Sequence, residues 1–249
     1  MNKERSRYVF GAALAGVALG GVPGLVGRAH AALTTAAQFT FDTSGTAFST
    51  SVTQGAVAYG PIIAEVGSGS AYGSHAATNA VYSSPAGNGS AHSFSSNVWA
   101  PGDYYEFAVP TTGLENILVS YDQISSSTGP KVFSLYYSVD GTNFSSFSSY
   151  SITITEAETN STGGTGTESA WSANSKGAYN WSFDLSGLTG LNNDANALFE
   201  VVDTDVTGTS TGTDRVDNVV VAGSPVPEPA SMTLLTAAAA AAAMRRRRA

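Results

Sequence analysis

The chain has 249 residues, no cysteine and a net charge of −8. Without cysteine it has no disulfide framework, thiol catalysis or thiolate metal site. Eight of the eleven basic residues (Lys3, Arg5, Arg7, Arg28 and Arg245 to Arg248) lie in the terminal segments. The body keeps three basic residues against seventeen acidic ones, a charge of −14 that repels phosphate backbones and excludes nucleic acid as a partner.

The N-terminus opens with Lys3, Arg5 and Arg7, continues through an apolar run from Tyr8 to Val22, and reaches the small-residue site Ala29-His30-Ala31. This order predicts a secretory signal peptide over 1–31, taken by the Sec translocon and cut by signal peptidase after Ala31. Ser6 splits Arg5 from Arg7, which departs from a twin-arginine pair. Pro23 and the glycines favour a cleaved peptide over a retained anchor.

The body, 32–224, reads as strands. Its first part alternates weakly, with Phe39, Phe41, Val52, Val57 and Ile62 to Val66 marking candidate strands. Period two is clear further on. Tyr105, Phe107 and Val109 share a face, as do Ile117, Val119 and Tyr121. Phe133, Leu135, Tyr137 and Val139 form the longest run, opposite Val132, Ser134, Tyr136 and Ser138. Asp140-Gly141 then signals a hairpin. Ile152 and Ile154 alternate with threonines, and 159–167 is a low-complexity segment read as a flexible loop. Trp181 with Phe183 and Leu185, then Phe199 with Val201, then Val219 with Val221 complete the series. No long amphipathic helix pattern interrupts it. The fold class is all-β: an antiparallel sandwich of jelly-roll type between the signal peptide and a short C-terminal transmembrane helix.

The C-terminus, 225–249, has three parts in order: Pro227-Glu228-Pro229, a charge-free alanine-rich run from Ala230 to Met244, and the cluster Arg245, Arg246, Arg247 and Arg248. As a helix the fifteen-residue run spans only ~22 Å, short of a ~30 Å hydrocarbon core, which suits temporary residence in the inner membrane. The order resembles the PEP-CTERM sorting signal of exosortase substrates, with alanine where leucine and glycine are more usual. The resemblance implies that a membrane exosortase recognises Pro227-Glu228-Pro229 and cleaves nearby. It also implies delivery to the cell surface or the exopolysaccharide (biofilm) matrix of a Gram-negative bacterium. The alternative is a plain tail anchor.

Asp103 to Val109, Leu118 to Asp122, Phe133 to Gly141 and Arg215 to Val221 together resemble the jelly-roll domains carried by such proteins. These domains are similar in layout to galactose-binding-like and carbohydrate-binding sandwiches. Late in the chain Asp203, Asp205, Asp214 and Asp217 cluster, and hard cations such as Ca²⁺ take oxygen ligands of this kind. The resemblance implies a structural Ca²⁺ between the first and last strands, a layout that Asp42 and Asp217 fit. Solvated loop acids are the alternative.

Other chemistry has thinner support. Trp99, before Pro101-Gly102, and Trp171, in a polar stretch, are candidates to stack on sugar rings, whereas Trp181 reads as core. Glu106, Asp122, Glu156 and Glu200 offer carboxylates for glycoside hydrolysis, but nothing in the sequence brings two together. His75 and His92 read as exposed loop histidines. Three functions remain: a non-catalytic structural component of the surface or matrix, a carbohydrate-binding module for exopolysaccharide, and a glycosidase.

Overall fold

Alternation of inward and outward side chains builds nearly the whole of the described body. The computed structural model describes residues 32–43, 52–54, 59–152, 171, 180–208 and 210–226. Ala29, Ala31, the 159–167 loop, Ile154, Pro227 to Pro229 and Arg245 to Arg248 lie outside the described residues. No helix among the described residues is long and apolar enough to cross a membrane.

In chain order the strands are β1 (Thr34–Phe39), β2 (Val52–Gln54), β3 (Tyr59–Ile63), β4 (Val66–Gly67), β5 (Ser70–Ser74), β6 (Ala80–Ser83) and β7 (Phe94–Trp99). They continue with β8 (Tyr104–Ala108), β9 (Leu114–Ser125), β10 (Val132–Ser138), β11 (Ser145–Ser151), β12 (Asn180–Asp184), β13 (Leu198–Asp203) and β14 (Ser210–Pro225). All pairings are antiparallel. One sheet runs β12-β9-β14-β7-β6-β2, with β1 beside β14 and β4 beside β1. The other runs β11-β10-β13-β8-β5-β3.

The sheets close face to face on aromatic rings. Phe39 of the first sheet meets Phe107 of the second with centroids 5.5 Å apart, Phe94 meets Tyr105 at 4.9 Å, and Trp99 meets Phe133 at 5.7 Å. Such rings supply most of the area that a sandwich core removes from water. The expected inward residues Tyr105, Phe107, Val109, Ile117, Val119, Tyr121, Phe133 and Leu135 are all buried.

Two local readings change. Val139 is 42 % exposed, because β10 ends at Ser138 and Val139 belongs to the hairpin turn. In that turn Asp140 Oδ1 accepts hydrogen bonds from the Thr142 and Asn143 amides, and Gly141 adopts a φ of 75°. The expected strand at Ile152 begins earlier: β11 is built largely from serine, with Phe147 and Tyr150 packing on the core.

β14 is the spine of the larger sheet. One edge pairs with β7 over Ser210 to Val216 and with β1 over Val219 to Gly223, while the other pairs with β9. The change of neighbour falls at Asp217-Asn218, where the register shifts and Asn218 takes a φ of 50°.

Candidate functional site

The smaller sheet turns one face to the core and the other outward. On β8, Tyr105 and Phe107 are buried in the core, so Tyr104, Glu106 and Ala108 point away from it. The same parity sends Ser70, Tyr72 and Ser74 outward from β5, Leu198, Glu200 and Val202 from β13, and Ser134, Tyr136 and Ser138 from β10.

The registers align these residues in rows. Tyr136 stands opposite Glu200, Glu200 opposite Glu106, and Glu106 opposite Tyr72. Across four strands at ~4.8 Å spacing this row is ~14 Å long. Beside it run Ser134, Val202, Tyr104 and Ser74. On its other side Leu198, Ala108 and Ser70 border an open depression of about 440 Å³. Tyr72 is braced from β3, since a Cβ on Gly60 would stand 2.7 Å from its ring.

The two carboxylates are the unusual feature. Glu200 is only 8 % exposed, yet it has no hydrogen bond or ion pair among the described residues. Burial pushes its carboxyl up to about 7, and the neighbouring Glu106 charge adds to the rise. Burial also raises Glu106. Tyr104 is raised chiefly by burial, with both glutamates pushing the same way against a hydrogen bond from Ser74. Burial and the like charge both favour the protonated form of this pair, and a cationic or hydrogen-bond-donating ligand would favour the ionised form, the proton leaving to water.

Nothing in the sequence pairs two carboxylates, yet the ladder sets Glu106 and Glu200 directly opposite each other. They belong to strands joined by a long stretch of chain, so only the pairing of β8 with β13 reveals the contact. The outward-facing tyrosines were likewise missed, because alternation marks which residues share a face but not which face is wet.

The tryptophan expectation is corrected. Trp99 is fully buried, its Nε1 donating to Ser96 O at 3.0 Å, its ring among His75, Tyr105 and Phe133. Trp171 is 2 % exposed, with the Arg215 guanidinium 5.8 Å from its ring centroid. Neither can stack on a sugar. Both rings fill volume that the serine- and glycine-rich chain leaves open. His75 is not an exposed loop residue either: it is buried, with Nδ1 3.1 Å from Asp103 Oδ2 and Nε2 3.0 Å from Ser96 Oγ. His92 Nδ1 lies 3.2 Å from Ser84 O.

The five aspartates assigned to Ca²⁺ do not converge. Asp42 accepts from the amides of Ala91 and His92, and Asp217 from the Asn88 amide and Ser90 Oγ. These two clasp one loop between β6 and β7. Asp203 and Asp205 sit at the end of β13, where Asp203 Oδ1 accepts from the Asp205 amide and Asp205 from Thr207 and the Lys131 amide. Asp214 is buried in the core and accepts from Gln123 Nε2 at 3.0 Å. Ser125 Oγ lies 2.8 Å from Asp214 Oδ2 and 2.7 Å from Pro130 O. Ser125 Oγ is the donor in both contacts, its one proton shared between the carboxyl and the carbonyl. Burial raises Asp214 well above the usual carboxylate range and so favours its protonated form. Burial likewise raises Asp203 to about 6 and Asp217 to about 7. Hydrogen bonds from Thr207 lower Asp205. Among the described residues no group of three or more histidine or acidic side chains is arranged to hold a metal.

At the other end of the body, β14 runs to Pro225, and the Val226 amide donates to Gly113 O at 2.9 Å. The family model of the PEP-CTERM protein-sorting motif matches residues 225–248. The chain carries a PEP-CTERM sorting signal. This signal implies an exported protein processed by an exosortase. The PEP-CTERM segment starts at Pro225, the last residue of β14.

No curated protein matches the sequence. Among solved structures, the chain is similar to the Clostridium thermocellum xylanase 10B CBM22-1 and GH10 modules complexed with xylohexaose. That match has 12% identity and a TM-score of 0.40, covering 78% of this chain and 29% of that one. TmCBM61 in complex with β-1,4-galactotriose aligns at 10% identity and TM-score 0.28, over 53% of this chain and 70% of that one. The K2 cleaved adhesin domain of Lys-gingipain aligns at 16% identity and TM-score 0.34, over 76% of this chain and 99% of that one. At TM-scores below 0.5 these likenesses decide no ligand.

Proposed function

We propose that this is an exosortase-processed cell-surface protein whose sandwich binds glycan on the outer face of its smaller sheet. The observation that carries the reading is the row Tyr72, Glu106, Glu200, Tyr136. Aromatic rings offer apolar faces to pyranose C–H groups, and carboxylates accept hydrogen bonds from hydroxyls. A sandwich serving only as matrix bulk has no use for a partly desolvated carboxylate without a protein partner on its outer face. The row therefore favours the carbohydrate-binding reading over a purely structural one, with exopolysaccharide of the producing cell's surface as the partner.

The reading is non-catalytic. Glycosidases flank the scissile bond with two carboxyls that approach it from different sides. Glu106 and Glu200 rise side by side from one sheet floor, so both meet the same side of a sugar. That arrangement grips a ring and leaves the opposite side unattended.

Sorting is tested by the intact mass of protein recovered from its own host, with and without the exosortase. The expected mass ends near Pro227 to Pro229 only when the enzyme is present. A mass retaining Arg245 to Arg248 in both strains would make the tail a simple anchor. Incubation with oligosaccharides that bind should release no new reducing ends, and release abolished by Glu200→Gln would overturn the non-catalytic reading.

A further inference from the structure

Glu200 is a residue 8 % exposed whose side chain makes no hydrogen bond or ion pair among the described residues; it points out of the sheet, and its carboxylate oxygens open onto the face where a ligand would lie. Its direct neighbour across the strands is a second carboxylate, Glu106. Two like charges at facing positions repel, and desolvation makes each more costly to ionise. Folding alone does not reward such a pair. A ligand that brings positive charge does.

Among the described residues no cation is engaged there. Lys131 donates to Ser126 O and Arg215 to Ala86 O, the first at the β9–β10 turn and the second beside Trp171. Tyr72 and Tyr136 close the row at its two ends, and a tyrosine face attracts a cation as well as a sugar ring. The body's charge of −14 disfavours polyanionic chains such as polyuronates. A divalent cation bridging to an acidic glycan fits poorly, since hard cations want six to eight oxygen ligands and the pair supplies few.

We infer that this face selects a polysaccharide bearing free amino groups, a partly N-deacetylated hexosamine polymer, whose ammonium is seated between Glu106 and Glu200 while its rings lie against Tyr72 and Tyr136. This rests on the glycan-binding reading above and names its ligand class. The ammonium supplies the donors and the charge that the two carboxylates lack, and charge-assisted bonds of this kind are the stronger sort. Acetylation of the amine removes the charge and adds bulk at the same point. Burial holds the carboxyl of Glu200 high in the free protein, and an ammonium seated beside it brings it down, so that the carboxyl ionises and its proton passes to water.

The test is calorimetric titration of the full protein with three probes: glucosamine hexasaccharide, N-acetylglucosamine hexasaccharide and galacturonate hexasaccharide. The expected order is tight binding of the first, weakening by roughly tenfold or more for the second, and no binding of the third. Added salt should weaken the first and spare the second. The near-isosteric double variant Glu106→Gln/Glu200→Gln, checked for folding by its melting curve, should bind the first two probes alike. Equal affinity of wild type for the amine and acetylated probes, or a preference that survives in the double variant, overturns the inference. Binding of the acetylated probe would still leave the glycan-binding face standing. If none of the three binds, the amine inference fails, and a broad glycan array decides whether the face binds any sugar.

Discussion

Glu200→Gln should stabilise the protein, and only where the carboxyl is ionised. In the folded state burial and the Glu106 charge lift Glu200 from 4.5 to about 7. A carboxyl raised by folding contributes its full share of stability below its unfolded value, and loses that share as pH climbs through the folded value. For Glu200 the window runs from about pH 4.5 to about pH 8. A rise of this size corresponds to about 3 kcal/mol at the top of the window, an upper bound because the outer face keeps some water. Glutamine keeps the shape and cannot ionise. The gain in unfolding free energy for Glu200→Gln should therefore grow by about 1–2.5 kcal/mol between pH 5 and pH 8. Urea unfolding of both proteins at the two pH values measures it, with an unchanged slope against denaturant showing that compactness is preserved. A gain of equal size at both values, or a loss at pH 8, would refute the claim that a partly desolvated carboxyl without a protein partner stands on that face.

Trp99→Ala should cost about 3–5 kcal/mol in unfolding free energy, as the loss of a fully buried ring does, while the folded fraction keeps its glycan affinity. Affinity falling without a loss of stability would return Trp99 to the binding surface. Asp214→Asn should lie within about 0.5 kcal/mol of wild type at pH 7, because an amide can replace a protonated carboxyl between Gln123 and Ser125. A loss above about 2 kcal/mol would mean that Asp214 is ionised in the core. Neither EDTA nor added Ca²⁺ should move the melting temperature, given the dispersal of Asp42, Asp203, Asp205, Asp214 and Asp217. A rise with Ca²⁺ that vanishes in Asp217→Asn would restore a metal to the loop that Asp42 and Asp217 clasp.

The sandwich was legible wherever one face of a strand is apolar. Tyr105 and Phe107, Ile117 and Val119, and Phe133 and Leu135 announce their strands because period-two burial is the whole signal there. β11 was not legible, since a Ser-Ser-Phe-Ser-Ser-Tyr-Ser edge strand buries only Phe147 and Tyr150, and partly at that. The sorting signal is legible because its parts are contiguous. The candidate site is not, because Tyr72, Glu106, Tyr136 and Glu200 come from four strands, and only the ladder sets them in one row. Trp99 and Trp171 misled for a related reason. Polar neighbours in sequence suggest exposure, but the buried polar groups around Trp99, such as His75 and Ser96, satisfy one another inside the core.

The account turns on whether the outer face of the smaller sheet binds sugar. A glycan array probed with wild type, with Tyr72→Ala/Tyr136→Ala and with Trp99→Phe tests this most directly. The account predicts hits for wild type, their loss in the tyrosine double variant despite a normal melting curve, and their retention in Trp99→Phe. Hits that persist in the tyrosine double variant would place binding elsewhere on the molecule, and a blank array for folded wild type would leave the protein a structural component of the surface alone.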